Sequence, residues 1–92
     1  MAVLEKTIQK EILNFLNING IFAFKVSGGM FQSAGISDII ACHNGKFISI
    51  EVKRPGGKIS PLQEDFCQKV AYHGGNAIVA YSLDDVKKAL KL

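Results

Sequence analysis

The sequence predicts a single α/β domain in which helices flank a mixed central sheet. Its 92 residues are about the length of one domain with one hydrophobic core. Apolar residues make up 48% of the chain, which excludes disorder, and no apolar run approaches the ~18 residues of a membrane-spanning helix. Helical and alternating patterns follow one another in the order helix, three strands, helix, strand, helix, which is typical of this fold class.

The first helix is predicted over residues 3–19, because apolar residues recur there at helical spacing and Asn19-Gly20 is a typical C-terminal stop. Residues 21–26 are rich in β-branched and aromatic side chains, which predicts a strand. Residues 27–37 carry glycines without periodicity and are predicted to form a loop. The apolar positions of the helix are Leu4, Ile8, Ile12, Phe15 and Leu16.

A hairpin follows the loop. Residues 37–42 form a short apolar strand, His43-Asn44-Gly45 has the composition of a tight turn, and residues 46–53 alternate cleanly between apolar and polar side chains. Arg54-Pro55-Gly56-Gly57 then breaks the second strand.

The second half of the chain adds a helix, a strand and a last helix. Ser60 and Pro61 open a helix that is expected to run to about residue 73, with Ser60 as the N-cap. Residues 76–81 form an apolar strand that enters the sheet by a crossover connection. Ser82 caps the final helix.

Three charged residues in the hairpin do not fit a core. Glu51 and Lys53 point to the same face of their strand, because side chains alternate with a period of two. If the hairpin turns at Asn44-Gly45, Asp38 faces Glu51 across the ladder. Facing carboxylates repel each other, and a hard cation such as Mg²⁺, which prefers oxygen ligands, would neutralise them. The alternative is a solvated strand face with an exposed ion pair of little energetic value.

These residues carry a resemblance to a known family. Asp38 followed by Glu51-Val52-Lys53 resembles the signature of the PD-(D/E)xK nuclease superfamily, and the chain is most similar to its VRR-NUC branch. The resemblance covers essentially the whole chain, although Ser37 stands where a proline is commonest. It implies a restriction-endonuclease-like αβββαβ core and divalent-metal-dependent phosphodiester hydrolysis. The matching blocks are Glu5 before Ile8-Gln9, Gly35 to Asp38, Ile50 to Lys53, and Ser60 to Gln63.

The resemblance also implies roles for individual residues. Asp38, Glu51 and the Val52 carbonyl would bind Mg²⁺ or Mn²⁺, and Lys53 would orient the attacking water or stabilise charge on the phosphate. Glu5 would be an auxiliary metal ligand, or simply a favourable acid in the first turn of a helix.

Gln63 and three basic residues have two interpretations each. The resemblance gives Gln63 a catalytic role near the lysine, whereas Ser60 and Gln63 also form a capping box. Arg54 and Lys58 flank the carboxylates, and Lys25 borders the glycine-rich loop, so all three are candidate nucleic-acid contacts or ordinary surface charges. The net charge of +3 agrees with a nucleic-acid partner but is a weak indicator.

We therefore expect a DNA endonuclease of the Holliday-junction-resolvase type, acting on branched or junction DNA as a homodimer without membrane association. The alternative functions are a catalytically inactive nucleic-acid-binding module of the same fold and a non-catalytic interaction domain. The first ten residues lack an apolar signal core, and Cys42 and Cys67 are expected to be buried thiols. These features predict a cytoplasmic protein, and the resemblance to stand-alone bacterial and viral VRR-NUC domains implies a bacterium or a phage-infected cell.

Overall fold

A computed structural model describes residues 4–26 and 35–92 of the chain. The predicted loop at residues 27–37 lies mostly outside these described residues, as does the first residue of the predicted helix. The predicted order of elements and the α/β fold class are confirmed. The elements are α1 (Glu5–Ile18), β1 (Phe22–Lys25), β2 (Ile39–His43), β3 (Lys46–Val52), α2 (Pro61–Tyr72), β4 (Asn76–Ala80) and α3 (Leu83–Leu90).

The four strands form one mixed sheet in the order β1-β2-β3-β4. The first three strands are antiparallel neighbours, and β4 joins parallel to β3 after α2, as the predicted crossover requires. The hairpin turns at Asn44 and Gly45, which both have positive φ angles (54° and 76°). Ile39 pairs with Ile50, so Asp38, one position earlier, stands opposite Glu51 as predicted.

The helices cover both faces of the sheet. α1 and α3 contact each other and the sheet on one face, and α2 packs against β3 and β4 on the other. Most of the core lies under α1, because every second residue of each strand points there. The buried apolar residues are Ile8, Ile12, Leu16, Ile21, Ile39, Ala41, Ile48, Ile50, Val52, Ile78, Ala80 and Val86. Among the described residues, no helix combines the length and the hydropathy that crossing a membrane requires.

The alternative of a solvated strand face does not hold, and two local expectations are wrong. The second face of β3 is not solvated, because α2 lies over it and buries Ser49 and Glu51. The sequence predicts that Leu62 shares one apolar face of α2 with Phe66 and Val70, but at the first turn of the helix Leu62 is 57% exposed. Cys42 is exposed rather than buried, because it lies on the part of the sheet that α2 leaves uncovered, and Cys67 is half-buried.

Gly35 holds the segment before β2 close to the start of α2. Its φ angle is +90°, and a Cβ atom at this position would lie 2.5 Å from the Leu62 carbonyl oxygen. We expect Gly35→Ala to lower the free energy of unfolding by about 1–3 kcal/mol more than Gly56→Ala, because forcing atoms into a packed contact costs this much. Gly56 is the matched control, since its φ of +84° is similar and nothing lies within 4 Å of its Cβ position. Urea unfolding of both variants measures the difference, and equal losses would contradict the predicted steric contact.

Candidate active site

The polar residues predicted to act together meet at one end of the sheet. There the chain enters β2 just after Asp38, β3 ends just before Lys53, and α2 begins. Glu51 is the last polar residue of β3 on the face that α2 covers. The sheet register and the crossover helix therefore bring Asp38, Glu51, Lys53 and Gln63 to the same place.

Asp38 is held in position by backbone groups of two neighbouring strands. The Val52 N–H donates a hydrogen bond of 2.7 Å to Oδ2 of Asp38. The Asp38 carbonyl oxygen accepts a hydrogen bond of 2.8 Å from the Val26 N–H at the end of β1. The carboxylate is thus oriented toward the end of β3 by fixed backbone rather than by a mobile side chain.

The two carboxylate oxygens of Glu51 have different surroundings. Oε1 accepts a hydrogen bond of 3.0 Å from Nε2 of Gln63 and lies 3.9 Å from Nζ of Lys53. Oε2 is buried and has no hydrogen-bond partner among the residues that the structure describes. Since Glu51 is only 2% exposed, this oxygen is a buried acceptor whose desolvation is uncompensated.

The surroundings of Glu51 favour its protonated form. Burial, followed by the nearby carboxyl group of Asp38, raises the pKa of Glu51 to about 8. The ammonium group of Lys53 opposes this effect on the pKa, and the more distant charge of Glu5 adds to it. Without a cation, Glu51 therefore keeps its proton near neutral pH.

Gln63 forms the predicted capping box and also contacts Glu51, and its catalytic role stays a prediction. Its side-chain oxygen accepts a hydrogen bond of 2.8 Å from the backbone N–H of Ser60. Its backbone N–H donates a hydrogen bond of 3.2 Å to the Ser60 hydroxyl, which completes the capping box. The side-chain amide nitrogen remains available and donates to Glu51. The helix cap therefore positions the amide group that contacts the buried carboxylate.

Two variants separate these roles of Gln63. We expect Gln63→Ala to lower the rate of metal-dependent DNA cleavage about tenfold or more, because a hydrogen bond to a charged group contributes about 1.5–3 kcal/mol. Ser60→Ala is the matched control: it breaks the same capping box, costs about 1 kcal/mol of stability, and leaves the contact with Glu51. Its cleavage rate is expected to stay close to that of the wild type. Equal rates for the two variants would show that Gln63 acts through the cap alone.

The donor set fits a hard divalent cation. Among residues 4–26 and 35–92, no group of three or more His, Cys, Asp or Glu residues is placed to hold a metal, so Asp38 and Glu51 would need further oxygen ligands. The Val52 carbonyl and water are such ligands, and Mg²⁺ commonly binds through one or two carboxylates. The unpartnered Oε2 of Glu51 is the observation that favours a cation here. Glu5 influences Glu51 through its charge, and its role as a ligand stays a prediction.

The basic residues surround this end of the sheet. Lys25 is exposed and pairs with Ile39, one residue beyond Asp38. Arg54 and Lys58 are exposed in the connection between β3 and α2. Their contacts with nucleic acid stay predictions. Lys6 and Lys10, which the sequence analysis did not select, lie on the same side of α1 beside Lys25; their spacing of four residues on a helix was the signal available.

Comparisons with known proteins agree with this fold. The sequence profile of the VRR-NUC domain matches residues 4–84. A solved structure described as a "VRR_NUC domain protein" is 19% identical, with a TM-score of 0.79 over 99% of this chain and 88% of the other. A second, described as a "VRR_NUC domain", is 25% identical, with a TM-score of 0.78 over 95% and 94% of the two chains. No curated protein matches the sequence. The profile spans most of the chain, which therefore belongs to the VRR-NUC domain family of nuclease-type domains.

Proposed function

We propose that the protein is a divalent-metal-dependent DNA endonuclease that hydrolyses phosphodiester bonds. The observation that carries this proposal is Oε2 of Glu51, which is buried without a hydrogen-bond partner among the described residues, while Oε1 lies 3.9 Å from the ammonium group of Lys53. A fully buried carboxylate beside the half-buried carboxylate of Asp38 is unfavourable as a purely structural arrangement, even next to a lysine. The same arrangement suits a site that holds a cation and a negatively charged phosphate.

Asp38, Glu51 and the Val52 carbonyl would hold Mg²⁺ or Mn²⁺, with Glu5 as an auxiliary ligand. When bound, the cation would polarise the scissile phosphate and lower the pKa of the attacking water. Binding also requires that the proton of Glu51 leave, so the affinity for the cation rises with pH. Gln63 keeps Oε1 of Glu51 in place, which leaves Oε2 free for this role.

Lys53 is the residue best placed to act on the phosphate or on water. Its N–H is anchored to the Ala80 carbonyl oxygen of β4 over 2.9 Å, so its backbone continues the sheet beyond the end of β3. Its ammonium group lies beside Glu51. From there Lys53 would donate hydrogen bonds to the attacking water or stabilise negative charge that develops on phosphate oxygen.

The proposal includes a homodimer that cuts branched DNA of the Holliday-junction type. One chain contributes one Asp38, one Glu51 and one Lys53, whereas symmetric cutting of a junction needs two sites related by a twofold axis. The sheet offers a surface for a second copy, because α2 covers β3 and β4 and leaves β1 and part of β2 open. We call this surface the open sheet face; it comprises Phe22, Phe24, Ile40, Cys42 and Phe47.

The open sheet face leads to a prediction about self-association. Phe22 is 69% exposed, and its ring lies 5.9 Å from that of Phe24. We expect the double substitution Phe22→Ser and Phe24→Ser to weaken dimerisation about tenfold or more, because buried aromatic side chains dominate interface energies. Sedimentation velocity over a concentration series measures this effect. Ile18→Ser removes an exposed apolar side chain from α1 and is the control, and a wild type that stays monomeric would contradict the proposed dimer.

The test of the proposed function uses end-labelled four-way junction, flap and duplex DNA. Each substrate is incubated with the protein and Mg²⁺ or Mn²⁺, with EDTA and the Lys53→Ala protein as controls. Cleavage that disappears in both controls is the expected result, and symmetric cuts in the junction favour the dimeric resolvase. Tight DNA binding without cleavage of any substrate would instead support the inactive binding module.

A further inference from the structure

A second polar feature lies at the same end of the sheet but on the opposite face. A cavity of about 240 Å³ opens between α1 and the first two strands. Its walls combine three basic residues, one amide and two apolar side chains. The lining residues are Lys6, Gln9, Lys10, Leu13, Lys25 and Ile39.

The geometry of α1 and β1 explains why three lysines converge on this cavity. The four lining residues on α1 recur at steps of three or four positions, so they share one side of the helix. This side adjoins the side of α1 that faces the core. Lys25 is the last residue of β1 and points toward α1, since Ala23 two positions earlier packs against the core. All three lysines are exposed.

The charge at this cavity is not neutralised by neighbouring acids. Among residues 4–26 and 35–92, the ion pairs formed by lysines involve Lys53, Lys69 and Lys88 and none of the three lysines of the cavity. Three lysines that line one cavity without an ion pair among the described residues produce a positive potential there. An anion that bridges them would neutralise this charge.

The cavity and the candidate active site are adjacent along the chain. Ile39 lines the cavity, and its neighbour Asp38 belongs to the carboxylate pair on the other face of the sheet. Lys6 likewise follows Glu5, whose charge acts on Glu51. A polyanionic strand that crosses the end of the sheet would therefore contact the carboxylate site and the cavity together.

We propose that this cavity binds one nucleotide of the DNA strand that flanks the scissile phosphate, an inference that rests on the proposed nuclease function. Lys6, Lys10 and Lys25 would contact its backbone phosphates. The half-buried Leu13 side chain would contact the sugar or the face of the base, and the Gln9 amide adds a hydrogen-bonding group. A cavity with an apolar floor and a cationic rim suits a nucleotide better than a bare inorganic anion, which has no apolar part.

The experiment measures DNA binding in EDTA, where the proposed cleavage does not occur. Fluorescence anisotropy of labelled duplex and junction DNA is recorded over a series of salt concentrations. The cavity variant combines Lys6→Gln, Lys10→Gln and Lys25→Gln, which removes three charges and keeps long side chains. The control variant, with the same change in net charge, combines Lys46→Gln, Lys69→Gln and Lys88→Gln on the exposed surfaces of β3, α2 and α3. Thermal unfolding verifies that both variants are folded.

We expect the cavity variant to bind DNA about tenfold or more weakly than the control variant. The slope of log Kd against log salt concentration should decrease by about 2–3, because each phosphate contact contributes about 0.9 to that slope for duplex DNA. Equal changes in the two variants would overturn the inference, as they would show that only total charge matters. A wild type that binds DNA through the cavity but cleaves nothing would support the inference and contradict the proposed function. If the wild type cleaves DNA and the cavity variant binds DNA as tightly as the wild type does, the proposed function is supported and the inference about the cavity is overturned.

Discussion

Replacement of Lys53 by alanine is expected to lower the rate of DNA cleavage by about 10²–10³-fold at saturating Mg²⁺ or Mn²⁺, with little change in DNA binding. The ammonium group lies 3.9 Å from Oε1 of Glu51. A fixed donor that stabilises charge only in the transition state raises the cleavage rate and leaves the affinity for DNA unchanged. The carboxylates and the Val52 carbonyl remain in this variant, so cation binding should persist. Single-turnover cleavage and anisotropy measure the two quantities separately.

Lys46→Ala is the matched control for this prediction. Lys46 begins the same strand β3 but is exposed at the hairpin, at the opposite end of the strand from Lys53. Its loss removes the same charge from the protein without changing the candidate active site. A Lys53→Ala protein that cleaves as fast as Lys46→Ala would exclude the role in water or phosphate orientation and leave Lys53 as an ion-pair partner of Glu51.

Replacement of Glu51 by glutamine is expected to stabilise the metal-free protein at alkaline pH and to abolish cleavage. The pKa of Glu51 is raised from 4.5 to about 8 in the folded protein, so the folded state binds its proton more tightly than the unfolded state does. The stability that this proton contributes is fully present below about pH 4.5 and is lost as the pH rises through about 8. Glutamine is neutral at every pH, so the Glu51→Gln protein does not lose this stability as the pH rises.

The expected difference is large because each unit of pKa corresponds to about 1.36 kcal/mol. Urea unfolding in EDTA should show that the wild type loses several kcal/mol relative to Glu51→Gln between mildly acidic and alkaline pH. Glu11→Gln is the control, since it makes the same charge change at an exposed position of α1. Added Mg²⁺ should raise the melting temperature of the wild type at alkaline pH and leave that of Glu51→Gln unchanged. Parallel pH profiles for wild type and Glu51→Gln would contradict this account.

Both predictions concern residues whose proximity was readable from local patterns. The Asn44-Gly45 turn determines the hairpin register, and the register places Asp38 opposite Glu51. Alternation along one strand then places Lys53 beside Glu51. These relations depend on residues that are neighbours in the chain or on a two-residue turn, so the sequence alone predicts that these side chains lie close together.

The interpretation of Gln63 shows the limit of such reasoning. The spacing of Ser60 and Gln63 predicts the capping box, and the structure contains it. The same spacing does not determine the direction of the free amide nitrogen, because this direction depends on how α2 lies across β3. The contact with Glu51 is therefore a result of tertiary packing, and it makes one side chain serve both the helix end and the site.

The sequence by itself determined the order of helices and strands, the hairpin register and the identity of the charged residues at the end of the sheet. These features depend on side-chain periodicity, turn chemistry and capping, which act between residues close in the chain. Only the tertiary structure decided that Glu51 is buried with one unpartnered oxygen, that Leu62 and Cys42 face solvent, and that α1 and β1 enclose a basic cavity. Those properties depend on which part of the sheet each helix covers, and that is set by long-range packing of elements far apart in the chain.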